Sequence, residues 1–356
     1  MADLMEIIEI LLLAGENVDE LLPFLFPDAS ESTYDPTRPP FDLENYTDAQ
    51  CKVYFRFYKN DIHRLARAFG MPERIVLPNR CVVDRVTALC IFLARLAYPN
   101  RLVTLEHFFN RPKSTLSMCI SAVLDFIYDN YHQKITDLNQ PWLTGRFQEF
   151  ADAIHAKGGP LENCIGFIDG TVRPLCRPIH FQRICYNGHK RVHALKFQSI
   201  VTPDGIIANL FGPLEGRRHD CFLLAVSGVL EQFETFNWTD RNGRNFCLYG
   251  DPAYPVRDFL IAPYKNADLG GDAQRRRFNT EMSSVRECVE WQFGKLVQQF
   301  AFLDFKKNLK VFLQPVGKLY LVGGILANCH TCLYGSETSQ YFDVPPPELE
   351  VYLQLD

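Results

Sequence analysis

The chain of 356 residues contains no apolar run long enough to cross a membrane. Its most apolar early stretch, Ile10 to Ala14, falls far short of the ~20 residues a spanning helix needs. That stretch follows Asp3, Glu6 and Glu9, so the positive region of a secretory signal peptide is missing too, and neither a membrane protein nor a secreted one is expected. Cysteines lack any repeating spacing: twelve are scattered from Cys51 to Cys332. This usage excludes a disulfide scaffold and implies reduced, mostly buried thiols in the cytosol or nucleus. Positive charge is also short, with a formal net of −5, which by itself argues against a nucleic-acid partner. The deficit is local, however. Residues 1–50 hold twelve acids against one base, Arg38, whereas the remaining 306 residues hold 30 acids and 36 bases. An acidic arm on a mildly basic body is compatible with nucleic acid.

What is present starts with an ordinary globular composition, 47% hydrophobic and 22% charged, in a chain long enough for one large domain or two smaller ones. Residues 1–27 set Ile7, Ile8, Leu11 and Leu12 among acids. One or two short amphipathic helices are expected there, either packed on the body or serving as a partner-binding or self-association arm. Pro, Ser, Thr and Asp dominate the linker-like stretch from Pro27 to Pro40. From Tyr46 to His155 the pattern is mainly helical. Val83 to Ala97 reads as a buried helix ending before Pro99. A short helix, Val103 to Phe109, meets a break at Asn110-Arg111-Pro112. A longer helix from Ser114 to Tyr131 follows, with Leu116, Ile120, Val123, Leu124 and Ile127 at helical spacing. Short helix, break, long helix is the outline of a helix-turn-helix. The first turn of its second helix meets base edges, which makes Arg111, Lys113, Ser114, Thr115 and Ser117 candidate DNA contacts. An ordinary helical hairpin fits the same outline.

From Gly158 the periodicity changes to strands at Ile165–Ile168, Ala194–Val201 and Ile206–Phe211. The last two are joined by the turn signal Thr202-Pro203-Asp204-Gly205. Two strand-like runs end at carboxylates, the first at Asp169-Gly170 and the second at Gly250-Asp251. In an open α/β sheet, ligands bind outside the carboxyl ends of strands. Glu290 lies in a helical segment, Ser284 to Val297, for which Asn279 or Thr280 offers a cap. Taken singly, the two Asp read as turns and the Glu as a solvated helix position. Together they read as a triad, and three anions in one cleft repel unless a cation holds them. An all-oxygen set favours Mg²⁺ or Mn²⁺, and two such ions can serve an in-line displacement at phosphorus. The expectation is therefore that Asp169, Asp251 and Glu290 converge with no lysine or arginine neutralising any of them.

Around these acids, rings and bases alternate from Phe181 to His193, including Arg183, Lys190 and Arg191. That mixture suits a phosphate backbone with exposed bases, or equally a solvated hairpin rim. Asp220 stands where it can cap a helix from Cys221 to Phe233. Cys329-His330-Thr331-Cys332 has no second Cys or His pair nearby, so a core helix from about Val316 to Leu333 is expected there in place of a zinc site. The tail from Ser336, with Pro345-Pro346-Pro347, is expected on the surface.

Six runs come in a characteristic order: Gly166-Phe167-Ile168-Asp169-Gly170-Thr171, Tyr186-Asn187-Gly188-His189-Lys190, His193-Ala194-Leu195-Lys196-Phe197-Gln198, His219-Asp220, Gly250-Asp251-Pro252-Ala253-Tyr254-Pro255, and Val289-Glu290-Trp291-Gln292-Phe293-Gly294-Lys295-Leu296. This series resembles the DDE endonuclease domain of PIF/Harbinger transposases and of the nucleases derived from them, over about residues 158–335. The resemblance implies an α/β (α+β) chain with a ribonuclease H-like mixed sheet flanked by helices, preceded by an all-α helix-turn-helix domain. The corresponding division is an acidic arm and linker (1–45), a helical domain (46–155), the endonuclease domain (156–335) and a tail (336–356).

The resemblance further implies that Asp169, Asp251 and Glu290 are catalytic and hold Mg²⁺ or Mn²⁺, with His219 and Asp220 in support. Lys196, Arg217, Arg218 and Lys295 join the DNA contacts named above. The implied partners are transposon ends and AT-rich target DNA, a Myb-like accessory protein and further copies of the chain, in the nucleus and without a membrane. Two departures stand out: Ala327-Asn328-Cys329-His330 where the family often carries Leu-His-Asn, and Val297 where a second basic residue is common. A descendant that binds DNA without cutting it, or a scaffold acting through residues 1–50, fits the same chain.

Overall fold

The computed structural model describes residues 32–354 other than 271, 308 and 312, with backbone alone at 266, 269 and 288–290. The helices expected within residues 1–27 lie outside the described residues. The chain divides into two compact units between Val123 and Leu124.

In the first unit, α1 (Asp48–Phe55) opens on a reciprocal cap between Thr47 and Gln50. It is followed by α2 (Lys59–Ala68) and by a short antiparallel hairpin, β1 (Arg74–Val76) and β2 (Val82–Asp84). The hairpin was not foreseen: Val82 to Asp84 pair across it, which delays α3 (Arg85–Ala97) until Asp84 accepts the Thr87 N–H. Then come α4 (Leu102–Phe109) and α5 (Lys113–Tyr131), which runs past the unit boundary. Asn110, in the left-handed region at φ 48°, ends α4. The buried Glu106 carboxylate accepts the Lys113 N–H at 3.0 Å and the Thr33 N–H at 2.9 Å. One acid thus holds the break and caps α5.

The second unit is built on a sheet. The end of α5 leads to α6 (Phe147–Ala156), β3 (Cys164–Pro174), a short helix α7 (Gln182–Cys185), β4 (Tyr186–Asn187), β5 (Val192–Val201) and β6 (Ile207–Glu215). Next are α8 (Asp220–Val226), α9 (Val229–Phe236), β7 (Cys247–Tyr249) and β8 (Leu260–Ile261), then the helices α10 (Ala273–Gln299), α11 (Val316–Tyr334), α12 (Glu337–Phe342) and α13 (Leu349–Leu353). The strand order is β4-β5-β3-β7-β8, with β6 also on β5. β5 is antiparallel to β3 and β6, whereas β7 is parallel to β3 and β8 to β7. The sheet is mixed, as expected.

Four expectations change. Phe147, Phe150 and Ile154 of α6 share a core with Phe167, Ile168 and Leu248, so α6 belongs to the sheet unit and the helical block does not close at residue 155. β3 does not stop at Ile168, because β5 pairs with it from Phe167 through Pro174. α10 begins eleven residues before Ser284, capped by Asp272, while Asn279 instead brackets the Tyr264 backbone at 2.9 Å on both sides. The tail is not superficial: Phe342, Val344, Leu349 and Tyr352 are buried. Asn328 joins it to the sheet, accepting the Ile207 N–H at 2.9 Å and donating to Ile207 O at 2.9 Å and Tyr352 Oη at 3.0 Å. Cys329 is buried in α11.

Candidate active site

The site forms where the parallel pair β3–β7 ends. Phe167 stands opposite Tyr249, and two residues further along each chain come Asp169 and Asp251. β7 stops at Tyr249 while β3 continues, so Asp169 projects where its β7-side neighbour has left the sheet. Asp251 accepts the Ala253 N–H at 3.0 Å, an Asx turn that swings the chain away. Gly250 permits this approach, since a Cβ there would lie 2.8 Å from the Tyr254 ring and 3.1 Å from Ile168.

Asp220 supplies a third carboxylate. It is the first residue of α8 and not its cap, a place taken by the exposed His219. Lys196 donates to Asp220 Oδ1 at 2.6 Å, and a Cβ on Gly170 would meet the same oxygen at 2.4 Å. Glycine at 170 therefore lets Asp220 stand beside Asp169. Tyr254 is buried among these acids: its phenol is pushed well up by burial and then by Asp220, Asp169 and Asp251.

Asp169 itself is 18% exposed at its side chain and lies 2.8 Å from Arg286 Nη2. Its other oxygen accepts the Gly170 N–H at 2.8 Å. Burial pushes its carboxyl up to about 6; Arg286 and the Gly170 N–H oppose that, and Asp251 and Asp220 add to it. The expectation of an acid cluster free of arginine thus fails at Asp169. The physical reason is the desolvation cost of a carboxylate this enclosed, which a charged neighbour offsets. Arg286 is that neighbour, one helical turn before Glu290 on α10. Convergence of acids alone therefore does not establish a metal here.

The side chain of Glu290 lies outside the described residues; its backbone is in α10. Among the described residues no three His, Cys, Asp or Glu side chains gather as a metal-ligand set. The acids present are nevertheless of the kind that hold a hard cation. The donors at hand are all oxygens. Ser199, opposite Asp169 in the sheet, has a buried hydroxyl without a partner, as do the Gln198 amide nitrogen and Arg286 Nε. Buried polar atoms are normally satisfied; of these orphans, Ser199 shares the Asp169 face of the sheet, whereas Gln198 stands opposite Gly170 on the other face.

The DNA-contact candidates divide. Arg183, Lys190, Arg191 and Arg217 are exposed, as are Ser114 and Ser117 in the first unit. Lys196, expected on DNA, is 6% exposed and committed to Asp220 and, at 3.0 Å, to Arg218 O. Lys295 donates at 2.9 Å to Thr331 Oγ1 and to Gly335 O, and burial brings its amine down to about 8. It ties α10 to the C-terminal end of α11. Arg218 pairs with Glu215 at 2.9 Å and lies 4.3 Å from the centre of the Phe222 ring. Thr115 is buried beside Asn79 at 3.3 Å, and Arg111 and Lys113 are partly buried. Sequence reasoning missed Arg286, Ser199 and Tyr254. Only the four-residue interval from Arg286 to Glu290 was visible as a pairing signal.

Residues 168–328 match the family model described as a DDE superfamily endonuclease. The matched span takes in Asp169, Asp251 and Glu290. No curated protein matches the chain, and no solved structure does. With a mixed sheet flanked by helices, the match supports a DDE transposase-type family and a ribonuclease H-like domain.

Proposed function

We propose that this protein is a divalent-metal-dependent DNA endonuclease and transposase of the PIF/Harbinger type. The observation that carries the reading is the level at which Asp169 and Asp251 leave adjacent parallel strands inside the matched span. Asp169, Asp251 and Glu290 would hold Mg²⁺ or Mn²⁺, which when bound supplies Lewis-acid activation of a water or 3′-hydroxyl for attack at phosphorus. The chain's own residues do the remainder. Asp169 must be ionised to act as a ligand, and Arg286 balances that charge while no ion is bound. Lys196 fixes Asp220 at the rim, and His219 stands exposed beside it as a supporting group. Exposed Arg183, Lys190, Arg191 and Arg217 grip the phosphate backbone, while Ser114 and Ser117, with Lys113, face base edges. Transposon ends and AT-rich targets are the substrates, a Myb-like protein and further copies the partners, and the nucleus the compartment.

Asp169→Asn, Asp251→Asn and Glu290→Gln are each expected to abolish Mn²⁺-dependent cleavage with an unchanged circular dichroism spectrum. Cleavage at the wild-type rate in these variants would remove the triad from the mechanism. A second reading, a DNA-binding descendant that no longer cuts, is favoured by one observation: Arg286 occupies an oxygen that a metal would need. Calorimetric titration with Mn²⁺ separates the two, since only the nuclease must take up the ion.

A further inference from the structure

We infer that residues 175–191, the excursion between β3 and β5, carry an apolar wedge, Ile179 and Phe181, that inserts between stacked bases of duplex DNA near the cleaved bond. The inference rests on the nuclease reading above and deepens it. Ile179 is 85% exposed, more than any other large apolar side chain among the described residues, and Phe181 is 61% exposed. Single exposed apolar residues are ordinary; two within three residues, on a braced loop, are not.

The base of the excursion is fixed. The Leu175 N–H donates to His193 O at 2.8 Å, the Cys176 N–H to Leu309 O at 3.1 Å, and the Asn187 amide to Gly216 O at 2.7 Å. Gly216 allows this closeness, because a Cβ there would lie 2.3 Å from Cys185 O. Across the tip, Arg177 Nε donates to Gln182 Oε1 at 2.9 Å, closing the chain on either side of the two apolar residues. Phe181 has φ 60°, in the left-handed region, where a bulky residue is strained. Such strain persists where the surroundings enforce it, and it clusters at functional sites.

Charge selects the occupant. From Gly170 to Pro203 the chain has no Asp or Glu and exposes Arg177, Arg183, Lys190 and Arg191, while Arg173 and Lys196 are buried against Asp304 and Asp220. An apolar tip flanked by exposed arginines matches a polyanion whose interior is apolar and stacked. Proteins that kink DNA use such apolar wedges, offsetting the unstacking by added contacts. The excursion springs from the strand that carries Asp169: five residues of β3 separate Asp169 from Pro174, ~17 Å of strand, and the excursion starts at the next residue.

The test uses the full chain in EDTA with short duplexes nicked at one position to mimic the cleaved bond, carrying 2-aminopurine at successive steps from the nick. Wild-type protein is expected to raise the fluorescence severalfold at one or two adjacent steps. The Ile179→Ser/Phe181→Ser variant should bind the same duplex within a few fold while the rise disappears, and Phe181→Leu should retain it. A rise that persists in the double variant, or binding by the wild type with no rise at any step, overturns the wedge and leaves the nuclease reading standing. No duplex binding by the wild type overturns both. Should the double variant lose its circular dichroism, the two single variants decide by the same criteria. Selective loss of self-association, or of binding to phosphatidylserine vesicles, with the fluorescence rise retained would assign the tip to another surface and overturn the proposal.

Discussion

At the scale of single residues, Asp169 contributes a defined part of how the metal-free protein responds to pH. Its carboxyl is raised from 3.8 to about 6, chiefly by burial. A raised acid favours the folded state fully below its unfolded value, and that contribution is lost as pH rises through about 6. The difference corresponds to roughly 2–3 kcal/mol. Between pH 4 and 7, in EDTA, wild-type stability should therefore fall relative to that of Asp169→Asn, whose amide does not titrate. Parallel melting-temperature profiles for the two proteins would show that burial does not act on Asp169 as described. Added Mn²⁺ reverses the sign, because a ligand must be deprotonated to bind. Its stabilisation of the wild type should be larger at pH 7.5 than at pH 5.5, and thermal melts at both values check this.

At the scale of elements, helices were legible to within a few residues wherever local pattern decides them. α4 and α5 begin one residue before the expected Val103 and Ser114, because apolar spacing and the Asn110-Arg111-Pro112 break are local signals. Strand ends were not legible. Asp169-Gly170 reads as a turn, yet β5 holds both residues in the ladder, a non-local pairing that no short window contains. The tail misled for the same reason: its prolines resemble a surface segment, while Tyr352 finds Asn328 across 24 residues. Asn328 is the element-scale test. Asn328→Leu strands the Ile207 N–H and C=O in the core, and each buried unsatisfied group costs about 1–3 kcal/mol. Urea unfolding should show a loss of roughly 2–4 kcal/mol; a loss within error of zero would mean that β6 finds other partners.

At the scale of the whole molecule, the proposed DNA affinity is expected to depend on charge asymmetry. Residues 1–31 contain eight acids and no lysine or arginine, so removing them takes the formal charge from −5 to +3. Duplex binding at low salt should tighten in the truncated chain. The gain should fade as ionic strength shortens the screening length to ~10 Å near 0.1 M. Fluorescence anisotropy across a salt series measures both effects. Unchanged DNA affinity accompanied by lost self-association would assign the arm to protein contacts instead.

The sequence by itself determined the order of the six motif runs and the bounds of α4 and α5, because each depends on local periodicity or on residue type at a fixed interval, while the mixed sheet was what the family resemblance implied. Only the tertiary structure decided that Arg286 balances Asp169, that Lys196 and Lys295 serve internal contacts, and that Asp220 enters the site past Gly170. These depend on which buried charge finds which partner. A lysine's sequence context is the same whether its amine meets water, a phosphate or a carboxylate 24 residues away; folding alone brings Lys196 to within 2.6 Å of Asp220.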